Sequence, residues 1–439
     1  MDPFVTDKSP QYSKADADQL LARDAKYVLR PWSDGPTAIV EGKGCIVVDA
    51  YGTELIDFTS GYFVNNAGHC HPGVIEAATA QLGKIMQVSG KHSTPPLVDL
   101  AEKLVQLTPR GIDKVFFTTG GSEANENALK MVRQKTGKSK VAALENGYHG
   151  LTLGALEACA SEKYRATAAV PKTDNVFFLP TPYCYRCPHA DDCATQCLDQ
   201  AEEMLDAHPN TAAILAEPVQ AVGGIIPPEA WWKRLDEMRR ERGILLILDE
   251  VQTGIGRTGT MFAAEHYGLE PDIITGGKGL SGGVGSLAVV MCSDEVGKDY
   301  YGGTTPTSAG NAVSAAAGIG LIDAILAEGL LENCTRMGEY FTQKVLELDD
   351  PWVGDVRFKG LLGGVELVVD RASKQVPEKA QIVGVKDSLH EDGMLITVSG
   401  LHGNVLRLQP PLCVEASHID AFVDALARAL PKVREGNAA

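Results

Sequence analysis

The chain has 439 residues, 57 acidic and 40 basic, for a net charge of −17 with histidine neutral. Hydrophobic residues make up 44% and charged residues 22%, close to the usage of globular chains, which excludes wholesale disorder. The acidic balance argues against DNA, RNA or an anionic membrane as the main partner, since each demands clustered Lys and Arg, but it leaves room for a small anion held by backbone dipoles.

The opening residues, Met1 to Lys8, contain no apolar run of the signal-peptide kind, and no stretch approaches the ~18 apolar residues of a membrane span. Ten cysteines without a secretory signal read as reduced thiols, so the expected compartment is the cytoplasm. Residues 1 to 40 read as an extended or loosely helical arm. Residues 45–49 and 54–58 read as two strands turning at Tyr51-Gly52. From residue 75 onward, helical stretches alternate with short apolar runs at 114–117, 141–144, 176–179, 212–215, 243–248 and 287–290. Runs of that length, hydrophobic on both faces, predict strands buried in a mainly parallel sheet. The Ala-rich segment 312–326 predicts a helix leaving this domain. The tail, with apolar runs at 361–369 and 405–408, predicts a smaller α+β lobe. At roughly 150 residues per domain, two or three domains are expected. We divide them as 1–65 (arm and part of the small domain), 66–315 (large domain) and 316–439 (the rest of the small domain).

Four segments carry chemistry. Strand residues 116–118 run through Gly120-Gly121-Ser122 into a helix; glycines allow close approach, and free amides at a helix start favour a phosphate without net positive charge. Taken alone, the same turn reads more readily as a serine N-cap on an ordinary helix. Asp249-Glu250 close the apolar run 243–248, where ligands of open α/β sheets sit and where a carboxylate can fix a cationic ring nitrogen; a solvated strand end is the plainer alternative. Lys278 stands among glycines after another strand, suited to a Schiff base if its amine is depressed, or to an ordinary surface loop. Asn146-Gly147-Tyr148-His149-Gly150 offers an aromatic face at the same sheet edge, for stacking on a planar ligand or for packing.

In this order and context, the four segments closely resemble the pyridoxal-phosphate aminotransferases of fold type I, and more narrowly class III, the ornithine/ω type. Residues 246–259, reading Leu-Ile-Leu-Asp-Glu-Val-Gln-Thr-Gly-Ile-Gly-Arg-Thr-Gly, are the most distinctive match, and Lys278 lies 29 residues beyond Asp249 as the family expects. Gly68-His69-Cys70-His71-Pro72, Glu217-Pro218-Val219-Gln220 and residues 406–412 match as well, so the resemblance spans about 52–411. It implies an α/β fold, a large domain with a mainly parallel seven-stranded sheet between helices plus a smaller α+β domain, and pyridoxal 5'-phosphate as cofactor.

The resemblance also assigns roles. Lys278 would hold the cofactor as a Schiff base and shuttle the proton, and Asp249 would keep the pyridine nitrogen protonated. Gly121 and Ser122 would hold the phosphate, with Thr307 of a partner subunit adding a hydroxyl. Tyr148 would stack on the ring and Val251 pack its other face. Gln252 would reach the phenolic oxygen, and His149 counts among the cofactor-binding residues. Arg407 would clamp a substrate carboxylate, Glu217 would pair with it when none is offered, and Tyr62, with Phe63 and the 399–403 loop, would shape the pocket. Amino donor and 2-oxo acid acceptor would be the small-molecule partners, and a homodimer, or a dimer of such dimers, would follow.

The stretch 302–311, Gly-Gly-Thr-Thr-Pro-Thr-Ser-Ala-Gly-Asn, departs from the family's pattern, so Thr304 or Thr305 competes with Thr307. Much of the chain also resembles 2,2-dialkylglycine decarboxylase, a class III member. Tyr62 and Asn311 replace the Gln and the alkali-metal Asp found there, which argues against decarboxylation and a tight metal site. Cys184, Cys187, Cys193 and Cys197 have a spacing that could hold zinc, yet related loops occur without metal, and no metal is expected. His69 and His71 read as a His-Pro turn feeding a helix, and Trp231-Trp232 as core. An aminotransferase is the expected activity. A racemase or epimerase, or an ammonia- or phospho-lyase, is the alternative on the same machinery, and a non-catalytic zinc-loop protein is a third possibility.

Overall fold

A computed structural model describes residues 12–31, 36–167, 173–189, 193, 195–298, 300 and 303–436; the opening residues 1–8 and Gly302 lie outside the described residues. The arm is more regular than expected, with a helix over Lys14–Tyr27. Ser13 and Asp16 form a reciprocal cap, each side chain accepting from the other's backbone amide at 3.2 and 3.1 Å, which satisfies amides that a helix start leaves free. Next come β1 (Ile39–Lys43), β2 (Ile46–Asp49) and β3 (Glu54–Asp57), with β2 and β3 antiparallel across the Tyr51-Gly52 turn as the sequence predicts.

The central sheet has seven strands: β4 (Lys114–Thr118), β5 (Lys140–Leu144), β6 (Val176–Leu179), β7 (Thr211–Ala216), β8 (Leu245–Asp249), β9 (Ile273–Gly276) and β10 (Ala288–Cys292), in the order β4-β10-β9-β8-β7-β5-β6. Only β10 runs antiparallel to its neighbours. Alternate residues serve opposite faces. Val141, Ala143, Ala213, Leu215 and Ile247 pack on Ala124, Ala128 and Val132 of the helix Gly121–Thr136. Ala142, Leu144, Ile214, Leu246 and Leu248 pack on Leu205, Trp231, Trp232 and Leu235. All six residues of β7 are therefore buried. The edge strands β4 and β6 depart from the fully apolar expectation, being half-buried over much of their length, because each has one neighbour and less cover.

The Ala-rich helix Ala312–Ala327 packs against the helices Pro72–Leu82 and Pro95–Leu107. Its approach is close: a Cβ on Gly320 would stand 2.6 Å from the Gly73 carbonyl oxygen. Beyond it, β11 (Val353–Lys359), β12 (Leu362–Leu367), β14 (Thr397–Ser399) and β15 (Val405–Leu408) form a sheet in the order β11-β12-β15-β14, while β13 (Met394–Leu395) pairs parallel to β3. The two ends of the chain thus share a sheet. Among the described residues no single helix is long and apolar enough to cross a membrane.

Candidate active site

Because the central strands are mainly parallel, their carboxyl ends converge on one edge, and the chemistry-bearing segments all follow those ends. After β4, Gly120 takes an extended conformation and the helix Gly121–Thr136 begins without a side-chain cap. Its first amides have no partner within the helix. The surroundings forbid larger residues: a Cβ on Gly121 would stand 2.6 Å from Val251 Cγ1, and one on Gly150 2.2 Å from Ser122 Oγ. Ser122 Oγ accepts from the Leu151 amide at 3.3 Å. Glycine, hydroxyl and bare amides together form an anion-sized cradle.

Asp249 ends β8 and is buried. Its Oδ2 accepts from His149 Nδ1 at 2.8 Å and Asn125 Nδ2 at 2.8 Å, and its Oδ1 accepts from the Val251 amide at 3.0 Å. Burial alone would raise its pKa, but the hydrogen bond and electrostatic pull of His149, the Val251 amide and the charge of Lys278 together hold it below the ordinary carboxylate value. Lys278 follows β9 with φ 42°, in the left-handed region. Burial, reinforced by the charge of Arg407 and opposed by Asp249 and Glu217, brings its amine down to about 8. A depressed lysine beside a fixed carboxylate is what Schiff-base chemistry needs.

Tyr148 follows β5, half-buried, with its ring edge-on to Tyr164 at 5.7 Å between centroids; burial pushes its hydroxyl up to about 12. Glu217, after β7, is buried and accepts from the amides of Tyr148 at 3.0 Å and Ala221 at 2.9 Å. Its pKa is raised, first by burial. Arg407 lies on β15. Burial lowers its pKa to about 10, and it makes no ion pair among the described residues, Glu217 included. Gln252 Nε2 donates to Gln409 Oε1 at 2.8 Å, linking the segment after β8 to that after β15.

Tyr62 sits, largely exposed, on an unusual turn. Ser60, Gly61, Tyr62 and Phe63 have φ of 45°, 62°, 68° and 72°, and left-handed backbone costs a non-glycine residue about 1–2 kcal/mol. The buried Asp57 holds the turn, accepting from the Thr59 amide and hydroxyl, the Gly61 amide and His69 Nε2 at 2.6–2.7 Å. His69 thus serves the turn, and His71 takes the cap position of the helix that begins at Pro72.

The structure gathers Lys278, Asp249, His149, Val251, Gly121, Ser122, Tyr148, Glu217 and Arg407. Thr307 stands apart: it is exposed, and its carbonyl accepts from Gln87 Nε2 at 2.7 Å. Sequence reasoning missed Asn125, which ties Asp249 to the His149 carbonyl and accepts from Thr275 Oγ1, each at 2.8 Å. A buried asparagine on the apolar face of a helix was the signal. It also missed Arg257, whose buried guanidinium donates to Ser60 Oγ, Asn66 Oδ1 and the carbonyls of Leu361 and Pro410. The cysteines of the 184–197 loop are free thiols; Arg186 anchors that loop to Glu366 of β12 at 2.6 Å.

Residues 29–430 match the family model of the class III aminotransferases. The chain is 36% identical over 430 residues to an acetylornithine aminotransferase of Methanosarcina mazei, covering 97% of this chain and all of that one. It is 35% identical over 414 residues to a leucine/methionine racemase of Thermococcus litoralis, covering 91% and 92%. Among solved structures it is similar to a thermostable (S)-enantioselective omega-transaminase from Thermomicrobium roseum, with a TM-score of 0.90, 32% identity and coverage of 95% and 99%.

Proposed function

Since the chain belongs to the class III aminotransferases, a pyridoxal-phosphate-dependent family, we propose that it binds this cofactor at the cradle described above and uses Lys278 to move an amino group from an amino acid or amine to a 2-oxo acid. The observation that carries the reading is the pairing of a lysine brought down to about 8 with a carboxylate held below its ordinary range at the same sheet edge. The residues fit the cofactor. The uncapped helix start at Gly121 and Ser122 suits its phosphate, Asp249 suits a protonated ring nitrogen, Tyr148 and Val251 suit the two ring faces, and Gln252 suits the phenolic oxygen. When bound, the cofactor supplies an electron sink for the pair left as the substrate Cα–H bond breaks. Lys278 Nζ holds the cofactor at rest and carries the Cα proton during reaction. His149 and Asn125 orient Asp249. Arg407 takes the carboxylate of the 2-oxo acid bidentately, and Glu217 stands ready to balance it when a donor has none.

We assign Thr307, with Thr304 and Thr305 as neighbours able to substitute, to the phosphate of a partner subunit. Leu82, Ile85, Met86, Val98, Leu151 and Leu153 are exposed apolar side chains, and Gln87 fastens the Thr307 segment to the stretch that follows Met86. That arrangement supports a homodimer, or a dimer of such dimers, which sedimentation would reveal. The domain divisions at 65 and 315 and a cytoplasmic location belong to the same reading.

The test is spectroscopic. Purified protein given pyridoxal phosphate should gain a visible lysine–cofactor band, and Lys278→Ala should lack it; no band in the wild type under saturating cofactor sinks the reading. Similarity to a racemase favours racemisation of an amino acid as the second reading. An amine donor that converts the bound cofactor stoichiometrically to pyridoxamine phosphate supports transamination, and exchange of Cα hydrogen without that conversion supports the racemase.

A further inference from the structure

Arg407 is a half-buried charge with an unusual setting. Its Nε has no hydrogen-bond partner and its guanidinium no carboxylate among the described residues, while the nearby Glu217 is already engaged by two backbone amides. What lies against it is a ring: the guanidinium carbon stands 4.0 Å from the centroid of Phe63. A guanidinium resting on an aromatic face keeps its in-plane N–H edge free, and that edge is what a carboxylate engages in two parallel bonds.

Phe63 reaches this position only because the chain turns left-handed through residues 60–63. The turn closes with the Phe63 amide donating to the Thr59 carbonyl at 2.6 Å, and Asp57, itself bonded to His69, fixes Thr59 and Gly61. Arg257 then joins the two segments concerned. One of its nitrogens donates to Ser60 Oγ at 3.3 Å and another to the Pro410 carbonyl, three residues beyond Arg407. Strained backbone held by so many partners marks a position the fold maintains for a purpose.

We propose that Phe63 is the positioning residue for Arg407: its ring is the seat that presents the guanidinium edge to a substrate carboxylate, and the Asp57–His69 pair with Arg257 holds the seat in place. The proposal rests on the reading of Arg407 as the carboxylate clamp. It predicts that Phe63 governs recognition of acids more than that of amines.

The experiment uses the holoenzyme and two readouts. One is binding of glutarate, an unreactive dicarboxylate, by calorimetry. The other compares the Michaelis constant for the acceptor 2-oxoglutarate with that for a donor amine lacking a carboxylate. Phe63→Leu should weaken glutarate binding and raise the acceptor's Michaelis constant, each by about 3- to 10-fold, and change the constant for the amine by clearly less. Phe63→Tyr, which keeps the ring face, should restore both. In an Arg407→Gln background, Phe63→Leu should add no further loss. If Phe63→Leu does not fold, Phe63→Met removes the same face with a flexible side chain. Equal effects on acid and amine, or a loss that persists without Arg407, overturn the proposal while leaving the clamp intact. Glutarate binding untouched by Arg407→Gln overturns the clamp reading, and this proposal with it.

Discussion

Asp249, buried, and Arg407, half-buried, are charges at one site, yet the protein surrounds them in opposite ways. Asp249 receives His149, Asn125 and the Val251 amide, all within 3.0 Å, from the helix Gly121–Thr136 and the loops that follow β5 and β8. Arg407 receives a ring face and, among the described residues, no carboxylate, and its Nε is left without a partner. A buried polar group without a partner costs about 1–3 kcal/mol, so the fold tolerates at Arg407 what it avoids at Asp249. On the proposed reading, the difference separates a charge that would serve a resident group through every turnover from one kept for a ligand that comes and goes. Preorganisation belongs at the first, and an unfilled bonding edge at the second.

The comparison breaks most readily at Asp249. Asp249→Asn removes the negative charge but keeps the shape, and activity should fall by about 10²–10³-fold with the fold intact by circular dichroism. A loss no larger than a few-fold would mean that the carboxylate is structural and that the two charges do not differ in kind.

A smaller effect is expected at His149, which touches Asp249 directly. His149→Phe removes a charge-assisted hydrogen bond of about 1.5–3 kcal/mol, so activity should fall by about 10- to 150-fold. The sign of the pH response is fixed. Asp249 is held below its ordinary value despite burial, so its stabilising contribution is present above the unfolded pKa and is lost as pH falls through the folded one. Without His149 the folded pKa rises, and the acid limbs of activity and stability should move to higher pH. An unmoved acid limb in this variant would assign the depression to other partners.

The same contrast explains what the sequence revealed. The segments around Asp249 are local and regular: strand, turn and helix follow one another, so the central strands were readable from apolar runs and punctuation, while the Gly-Gly-Ser turn, Asp249 and Lys278 stood out only as candidates whose roles came from the family resemblance. The arm was harder, because the capping pair Ser13 and Asp16 decides its helix more than any apolar period does. Around Arg407 nothing is local. Phe63 and Arg407 meet through a left-handed turn in which three of the four residues are not glycine, and nothing in the composition announces that geometry. Arg257 lay inside the most distinctive motif, but its four partners come from three distant segments. Asn125 was hidden because a single polar residue in a helix gives no hint of what it will face across the sheet. Thr307 shows the reverse case: a residue the resemblance named, for which a single chain offers no place at the site.

The smallest predicted effect joins the two halves. Lys278 lies between Asp249 and Arg407 electrically, and its amine is down at about 8 against an ordinary 10.5 or so. The apoprotein's capture of pyridoxal phosphate requires the neutral amine, so its rate should climb with pH through a midpoint near 8. The unfolded chain binds more protons than the folded one between about 8 and 10.5, so the stability of the apoprotein should rise with pH across that window. Arg407→Gln removes a positive charge that disfavours the ammonium form, and the midpoint should move up. Glu217→Gln removes a negative charge that favours it, and the midpoint should move down, each by less than about one pH unit. Opposite shifts would show that the carboxylate-binding half sets the reactivity of the lysine. Two null shifts would show that burial alone sets it and that the halves act as separate sites.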